Sequence, residues 1–312
     1  MKTIFMGTPD FAVPCLKTLA ESRHEVAAVF TQPDKPKGRG YKMIPTPVKS
    51  AALEYGLPIY QPLSLRKGDD AAEAIKLLRK IDPDIIVVTA YGQILPKEVL
   101  ELPKYGCINI HASLLPKYRG AAPINWVLLN GEKETGVTSM QMSEGLDTGD
   151  MLIKKSTEIG ENETYQELYS RLSHMGAEVL AETLDAIENG SLSPEKQDDS
   201  LSCYSPMITK GMSALNFSKT SAEVHNTIRG VTGFAMLDGK RLKIFASALT
   251  GKSADNAADG EIVDEFNFDV KCGDGKIIRF LEVQPEGKKR MSVQDFLRGN
   301  KLTTGTILNQ EV

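Results

Sequence analysis

Asp84-Ile-Ile-Val-Val-Thr89, running on into Ala90-Tyr-Gly-Gln-Ile-Leu-Pro96, decides the fold. A strand this apolar on both faces belongs inside a parallel sheet covered by helices on either side. A second run of the same kind, Cys107-Ile-Asn-Ile-His111, follows it. Upstream, Thr3–Met6 reads as a buried strand, Phe11–Leu19 as a helix entered at Pro9 and Asp10, and Val26–Thr31 as the next strand. Helices over Val48–Tyr55 and Ala71–Lys80, with a strand at Pro58–Tyr60, continue the alternation. The expected architecture is α/β, with a Rossmann-like, mostly parallel sheet. The first turn, Gly7-Thr-Pro-Asp-Phe11, lacks the G-x-G-x-x-G fingerprint, which argues against a nicotinamide or flavin dinucleotide.

Chemistry concentrates after the second run. Side chains alternate across a strand, so Asn109 and His111 share a face about 7 Å apart along the chain. Ser113-Leu-Leu-Pro116 ends the ladder, and the basic turn Lys117-Tyr-Arg-Gly120 follows. A helix over Ala121–Leu129, in which Trp126 reads as core, and a strand over Thr135–Met142 lead to Glu144-Gly-Leu-Asp-Thr-Gly-Asp150. The glycines of that loop can bend Asp147 back towards the imidazole. Amide, imidazole and carboxylate are the groups that stabilise an oxyanion and move a proton during acyl transfer. An isolated Asn-x-His also occurs as a hydrogen-bonded structural pair, and the residue types leave the protonation state of the imidazole open. Ligands of open α/β sheets sit beyond the carboxyl ends of the strands, so the loops after Thr89 and His111 should line a crevice. From the sequence alone the favoured reading of Ile94 and Leu95 is core packing. Gly-Leu-Asp-Thr-Gly lacks the acidic spacing of a calcium loop, and His24, His111, His174 and His225 show no ligand spacing, so no metal is expected.

The chain has 312 residues, 41% hydrophobic and 25% charged, enough for two domains with ordinary cores. Cys15, Cys107, Cys203 and Cys272 lie far apart, as expected of reduced thiols in a cytosolic protein. The N-terminus is too short in apolar residues for a signal peptide and no segment could span a bilayer, so the expectation is a cytoplasmic location with no membrane contact. The net charge is −4, yet Lys35, Lys37, Arg39, Lys42 and Lys49 crowd one segment that also holds Asp34. The prolines and glycines of residues 32–48 exclude a regular helix or a central strand, which leaves a solvated linker or a functional loop. A long amphipathic helix over Thr164–Glu188 closes a first domain, 1–188. Residues 189–207, rich in Ser, Pro, Asn and Asp, read as a linker. Residues 208–312 carry one short helix, Ala222–Arg229, among β runs at Leu242–Ala246, Gly260–Asp264, Asp269–Lys271 and Lys276–Glu282, as in a small barrel.

The strings INIHASLLPKYRGAAPINW and GVTSMQMSEGLDTGDM, together with GTPDFAVP near the start, resemble the formyltransferases that use 10-formyltetrahydrofolate, most closely those acting on methionyl-tRNA. The likeness spans nearly the whole chain and is weaker at the end. It implies 10-formyltetrahydrofolate as co-substrate and methionylated initiator tRNA as acceptor, with no obligate protein partner evident. It assigns catalysis to Asn109, His111 and Asp147. It places Ile94 and Leu95 at the pterin pocket and Ser113, Leu114, Leu115 and Pro116 against folate. It makes residues 32–48 a tRNA-binding loop, with Arg39 in its Gly-Arg-Gly and Lys35, Lys37 and Lys42 around it. The C-terminal domain becomes an OB-like tRNA-binding barrel. Two departures fall in that domain: Asn216-Phe217 stands where the family has Asp-Trp, and Val231-Thr-Gly-Phe-Ala235 replaces Pro-x-Pro-Gly-Ala. A small-amine acceptor, such as glycinamide ribonucleotide or an amino-sugar nucleotide, would need neither basic loop nor barrel. A non-catalytic tRNA-binding protein would not need an intact Asn-His-Asp set.

Overall fold

The computed structural model describes residues 1–37 and 42–309, so Arg39 lies outside the described residues. Two compact units divide the chain: Met1–Gly120, Gly136–Thr157 and Tyr169–Tyr204 in the first, Ala121–Thr135, Glu158–Leu168 and Ser205–Val312 in the second. Two short excursions thus leave the first unit for the second before the chain departs for good.

In chain order the first strands are β1 (Lys2–Gly7), β2 (Glu25–Phe30), β3 (Lys35–Lys37), β4 (Lys42–Ile44), β5 (Ile59–Tyr60), β6 (Ile85–Thr89), β7 (Cys107–His111), β8 (Arg119–Gly120), β9 (Glu134–Gln141) and β10 (Met151–Glu158). Seven of them form one sheet in the order β10-β9-β7-β6-β1-β2-β5. The five from β7 to β5 pair in parallel, as the apolar runs predict, while β9 pairs antiparallel to β7. All five residues of β6 are buried, as a central strand covered on both faces requires. Helices α1 (Val13–Ala20), α2 (Pro47–Glu54) and α3 (Asp69–Ile81) fall where the sequence places them. The long helix Tyr165–Asn189 comes close to β7: a Cβ on Gly176 would stand 3.1 Å from Ile110 Cγ2. The strand β10 carries no strong apolar pattern, alternating buried or half-buried with exposed residues at the sheet edge, and the sequence reading passes over it. The described residues between 32 and 48 are more regular than their prolines suggest. β3 and β4 form an antiparallel hairpin outside the main sheet, in register Lys35↔Ile44, Pro36↔Met43 and Lys37↔Lys42. A two-stranded ribbon off the main sheet accepts a proline that a central strand would reject.

The second unit is built on an antiparallel sheet of Gly233–Leu237, Lys240–Ser253, Lys276–Pro285, Asp269–Lys271 and Ile262–Asp264, in that order, with Met291–Ser292 added to Lys276–Pro285. Both edges bond to the same closing segment. Met236 N donates to Asn309 O at 2.9 Å and Ile262 N to Thr306 O at 2.8 Å, which closes the sheet into a barrel. Ile244, Ile262, Phe268, Val270, Ile278 and Phe280 fill it. Phe217, one of the two unusual residues, is buried in this core with its ring 6.4 Å from that of Phe280. Trp126 is not core: it is half-buried and its indole N–H donates to Pro206 O at 2.8 Å. Among the described residues no helix is long and apolar enough to cross a membrane.

Candidate active site

All the candidate catalytic and folate-contacting residues fall in the first unit. β6 and β7 run in parallel with Val88 opposite Asn109, so their carboxyl ends open on the same side of the sheet. Thr138 of β9 lies opposite His111. Ser113 is fully buried, and its hydroxyl donates to Lys117 O at 2.7 Å, closing the turn after β7. Thr138 Oγ1 donates to Ser113 O and accepts from Leu115 N, so the turn is pinned to β9. Leu115 is buried, Leu114 and Pro116 half-buried, and the Leu115–Pro116 peptide is cis. In the loop after β6, Ile94 is 65% exposed whereas Leu95 is 4% exposed and packs in the core with Val88, Val99 and Leu100.

The antiparallel pairing of β9 gives the acidic loop its shape. β9 ends at the amino end of β7, where Met142 N donates to Cys107 O at 2.8 Å. The loop must fold back along β7 to reach the imidazole. Gly149 makes this possible, since a Cβ there would stand 1.8 Å from Gln141 O. Asp147 adopts the left-handed conformation, φ 52°, which disfavours an ordinary L-residue by about 1–2 kcal/mol. Its carboxylate ends 3.7 Å from His111 Nδ1 and accepts from Gly120 N at 2.8 Å.

His111 is 6% exposed. Its Nε2 lies 2.9 Å from Tyr118 O, and since a carbonyl only accepts, Nε2 carries the hydrogen. Nδ1 is left facing the carboxylate. The group that orients the ring by a hydrogen bond is therefore the backbone carbonyl of Tyr118, itself left-handed at φ 60°. Asn109 is half-buried and its amide takes no hydrogen bond among the described residues. A half-buried amide without a protein partner is suited to a polar ligand atom, because its donor and acceptor are both available to it. The set can place one amide donor and one imidazole, backed by a carboxylate, around a reacting carbonyl.

Sequence reasoning missed the backbone groups of Tyr118 and Gly120, and it missed Gln197. The side chain of Gln197 donates to Asp147 O at 2.8 Å and to Gly149 O at 2.7 Å. A lone glutamine in a Ser- and Asp-rich stretch carries no signal that could have singled it out. Of the expected tRNA-contacting residues, Lys35, Lys37 and Lys42 lie on the β3–β4 hairpin. The hairpin's base is tied: Lys49 Nζ donates to Asp34 at 2.6 Å and Gln61 at 2.8 Å, and Gln61 Nε2 donates to Asp34 at 2.7 Å.

Residues 1–184 match the family model for formyl transferase, and residues 207–301 the model for its C-terminal domain. The methionyl-tRNA formyltransferase of Citrifermentans bemidjiense is 50% identical over 317 residues, covering 100% of this chain and 97% of the relative. That of Geobacter metallireducens is 50% identical over 312 residues, covering 98% and 97%. Among solved structures, an N-formyltransferase of Helicobacter canadensis in complex with folinic acid and dTDP-3-aminofucose superposes with a TM-score of 0.69 at 23% identity, over 91% of this chain and 99% of that one. Matched along both parts of its length, with the Asn109–His111–Asp147 set brought together at the ends of a mostly parallel sheet, the chain belongs to the formyl transferase family.

Proposed function

We infer that this protein transfers the formyl group of 10-formyltetrahydrofolate to the α-amino group of methionyl-tRNA, producing formylmethionyl initiator tRNA for translation in the cytoplasm. The unpartnered amide of Asn109 beside the His111–Asp147 pair carries the chemical reading. Identity of 50% along the full length to relatives with that activity supports the acceptor. The exposed Ile94 offers an apolar surface to a flat pterin ring, with Leu114 and Pro116 half-buried on the next loop.

The α-amine attacks the formyl carbon. Asn109 donates to the oxyanion that forms, an interaction typically worth about 3–4 kcal/mol in the transition state. His111 keeps Nε2–H on Tyr118 O, which leaves Nδ1 to exchange the proton. Through water and His111 Nδ1, beside the Asp147 carboxylate, the proton lost by the amine passes to N10 of the folate as the carbon–N10 bond breaks. Arg39, Lys35, Lys37 and Lys42 would meet the tRNA through phosphate and base contacts, arginine in bidentate fashion and lysine as a point charge. The decisive assay supplies formyltetrahydrofolate with methionyl-tRNA, glycinamide ribonucleotide or an amino-sugar nucleotide in separate reactions. Formylation of methionyl-tRNA alone is expected. Turnover confined to a small amine would replace this acceptor, and no turnover with any of them would favour a non-catalytic binding role.

A further inference from the structure

Gln197 sits in the stretch whose composition reads as a linker, yet its side-chain amide is fully engaged at the candidate active site. Nε2 donates both hydrogens, to Asp147 O at 2.8 Å and to Gly149 O at 2.7 Å. Oε1 accepts from Arg119 Nε at 2.9 Å, and Arg119 in turn holds Asp199 at 2.8 Å. The main chain two residues earlier is anchored as well: Glu195 and Met151 exchange both backbone hydrogen bonds, at 2.8 and 2.9 Å. Gln197 thus reaches the folded-back loop from a fixed base.

We propose that Gln197 is a positioning residue for formyl transfer: it holds the main chain of Asp147 in its left-handed conformation and so sets the carboxylate against His111. The proposal rests on the reading that Asp147 assists His111. Asp147 needs such a hold, because φ 52° is disfavoured for an L-residue and the loop has to reverse direction to bring it there. The carboxylate is gripped from the other side by Gly120 N, the residue next to Arg119, so backbone and side chain of Asp147 are held through two neighbouring residues of one turn. Only an amide of this length serves. Two carbonyls converge on one atom, so that atom must carry two hydrogens, while the other end must accept from a guanidinium. Glutamate would keep the acceptor and present an oxygen to both carbonyls.

Gln197→Glu and the uncharged Gln197→Met separate donation from charge, and Asp147→Asn reports on the underlying reading. All are measured as full chains, with folded fraction checked by circular dichroism and rates expressed per folded protein. Both Gln197 variants should lose roughly 10- to 100-fold in kcat, as displaced catalytic groups do, with KM for methionyl-tRNA and for formyltetrahydrofolate unchanged. In the Asp147→Asn background, neither Gln197 change should lower kcat further, because both act through the same carboxylate. Parental kcat in both Gln197 variants, with Asp147→Asn inactive, would overturn the positioning role while leaving Asp147 in the mechanism. A rise in KM with kcat intact, or a full further loss in the double variants, would overturn it as well, by showing that Gln197 acts elsewhere. Parental turnover in Asp147→Asn would instead overturn the reading on which the proposal stands.

Discussion

Ile94 and Leu95 are neighbours in sequence with opposite environments, 65% and 4% exposed, although the two have nearly the same hydrophobicity. Substitution should therefore separate them. Ile94→Lys is expected to weaken folate binding in calorimetry while leaving the thermal midpoint near the parent's. Leu95→Ala opens a cavity beside Val99 and Leu100 and should lower stability by about 2–5 kcal/mol in denaturant unfolding. Unchanged folate affinity in Ile94→Lys would take that side chain out of the binding surface. At the reaction centre, Asn109→Ala, His111→Ala and Asp147→Ala should each reduce kcat by about two orders of magnitude or more with folding intact. A variant that turns over at the parental rate removes its residue from the mechanism. The sequence points to these three groups through the resemblance of the strings around them to the formyltransferases, since an amide, an imidazole and a carboxylate in one domain do not by themselves mark a reaction centre. Their contacts are not legible. Tyr118 O and Gly120 N are backbone atoms, which every residue carries and no residue type announces.

Among the elements, the β3–β4 hairpin is the one whose charge and order can be set against each other. Asp34 is the acidic residue of that basic segment, and the ammonium of Lys49, with the Gln61 amide, holds its carboxyl below the usual range. Asp34→Ala makes the segment more basic, which by charge alone would tighten tRNA binding. It also loosens the hairpin base, since the side chains of Lys49 and Gln61 each lose their bond to Asp34 and keep only the one between them and that from Gln61 to Gln32 O. The expected result is a higher KM for methionyl-tRNA with folate affinity unchanged; a lower KM would show that charge outweighs order. Lys35→Ala should flatten the log–log salt dependence of tRNA binding by about one unit if that lysine meets a phosphate. The strand β6 is plain in the sequence because burial on both faces leaves Thr89 as its one polar position. Edge strand β10 lacks that signature, and the hairpin is hidden by prolines that an isolated ribbon tolerates.

Within the second unit, His225 is buried, with Nδ1 2.9 Å from Ser247 Oγ and Nε2 3.0 Å from Glu161 O. Burial pushes its pKa down; Arg229 and Lys133 add to that, and the Glu161 carbonyl and charge oppose it. The folded protein therefore keeps the ring neutral at pH values where the unfolded chain, titrating near 6.5, takes up a proton. The unfolded state binds more protons there, so stability should be complete above that value and fall as pH drops through it. His225→Gln should flatten the pH dependence of denaturant unfolding, apart from the slope left by His24, whose pKa is also lowered by burial. An unaltered slope would show that His225 is accommodated in its charged form. The closure of the barrel belongs to this scale too, because residues 306 and 309 reach strands whose positions in the chain are some distance away.

By itself the amino-acid sequence determined the class of fold and the order of the parallel strands' apolar runs, while its resemblance to the formyltransferases singled out the three side chains proposed for acyl transfer. The first two are properties of composition and short-range spacing, and the periodicities of strand and helix express them directly. Only the tertiary structure decided that β9 turns antiparallel, that its loop consequently folds back on β7, and that Gln197 from a nondescript stretch holds it there. The reason is physical. Strand direction beyond a helix, the sharing of one amide between two carbonyls, and the sealing of a barrel depend on groups brought together from distant points of the chain. Hydrogen-bond satisfaction in three dimensions selects them, and no local pattern encodes it.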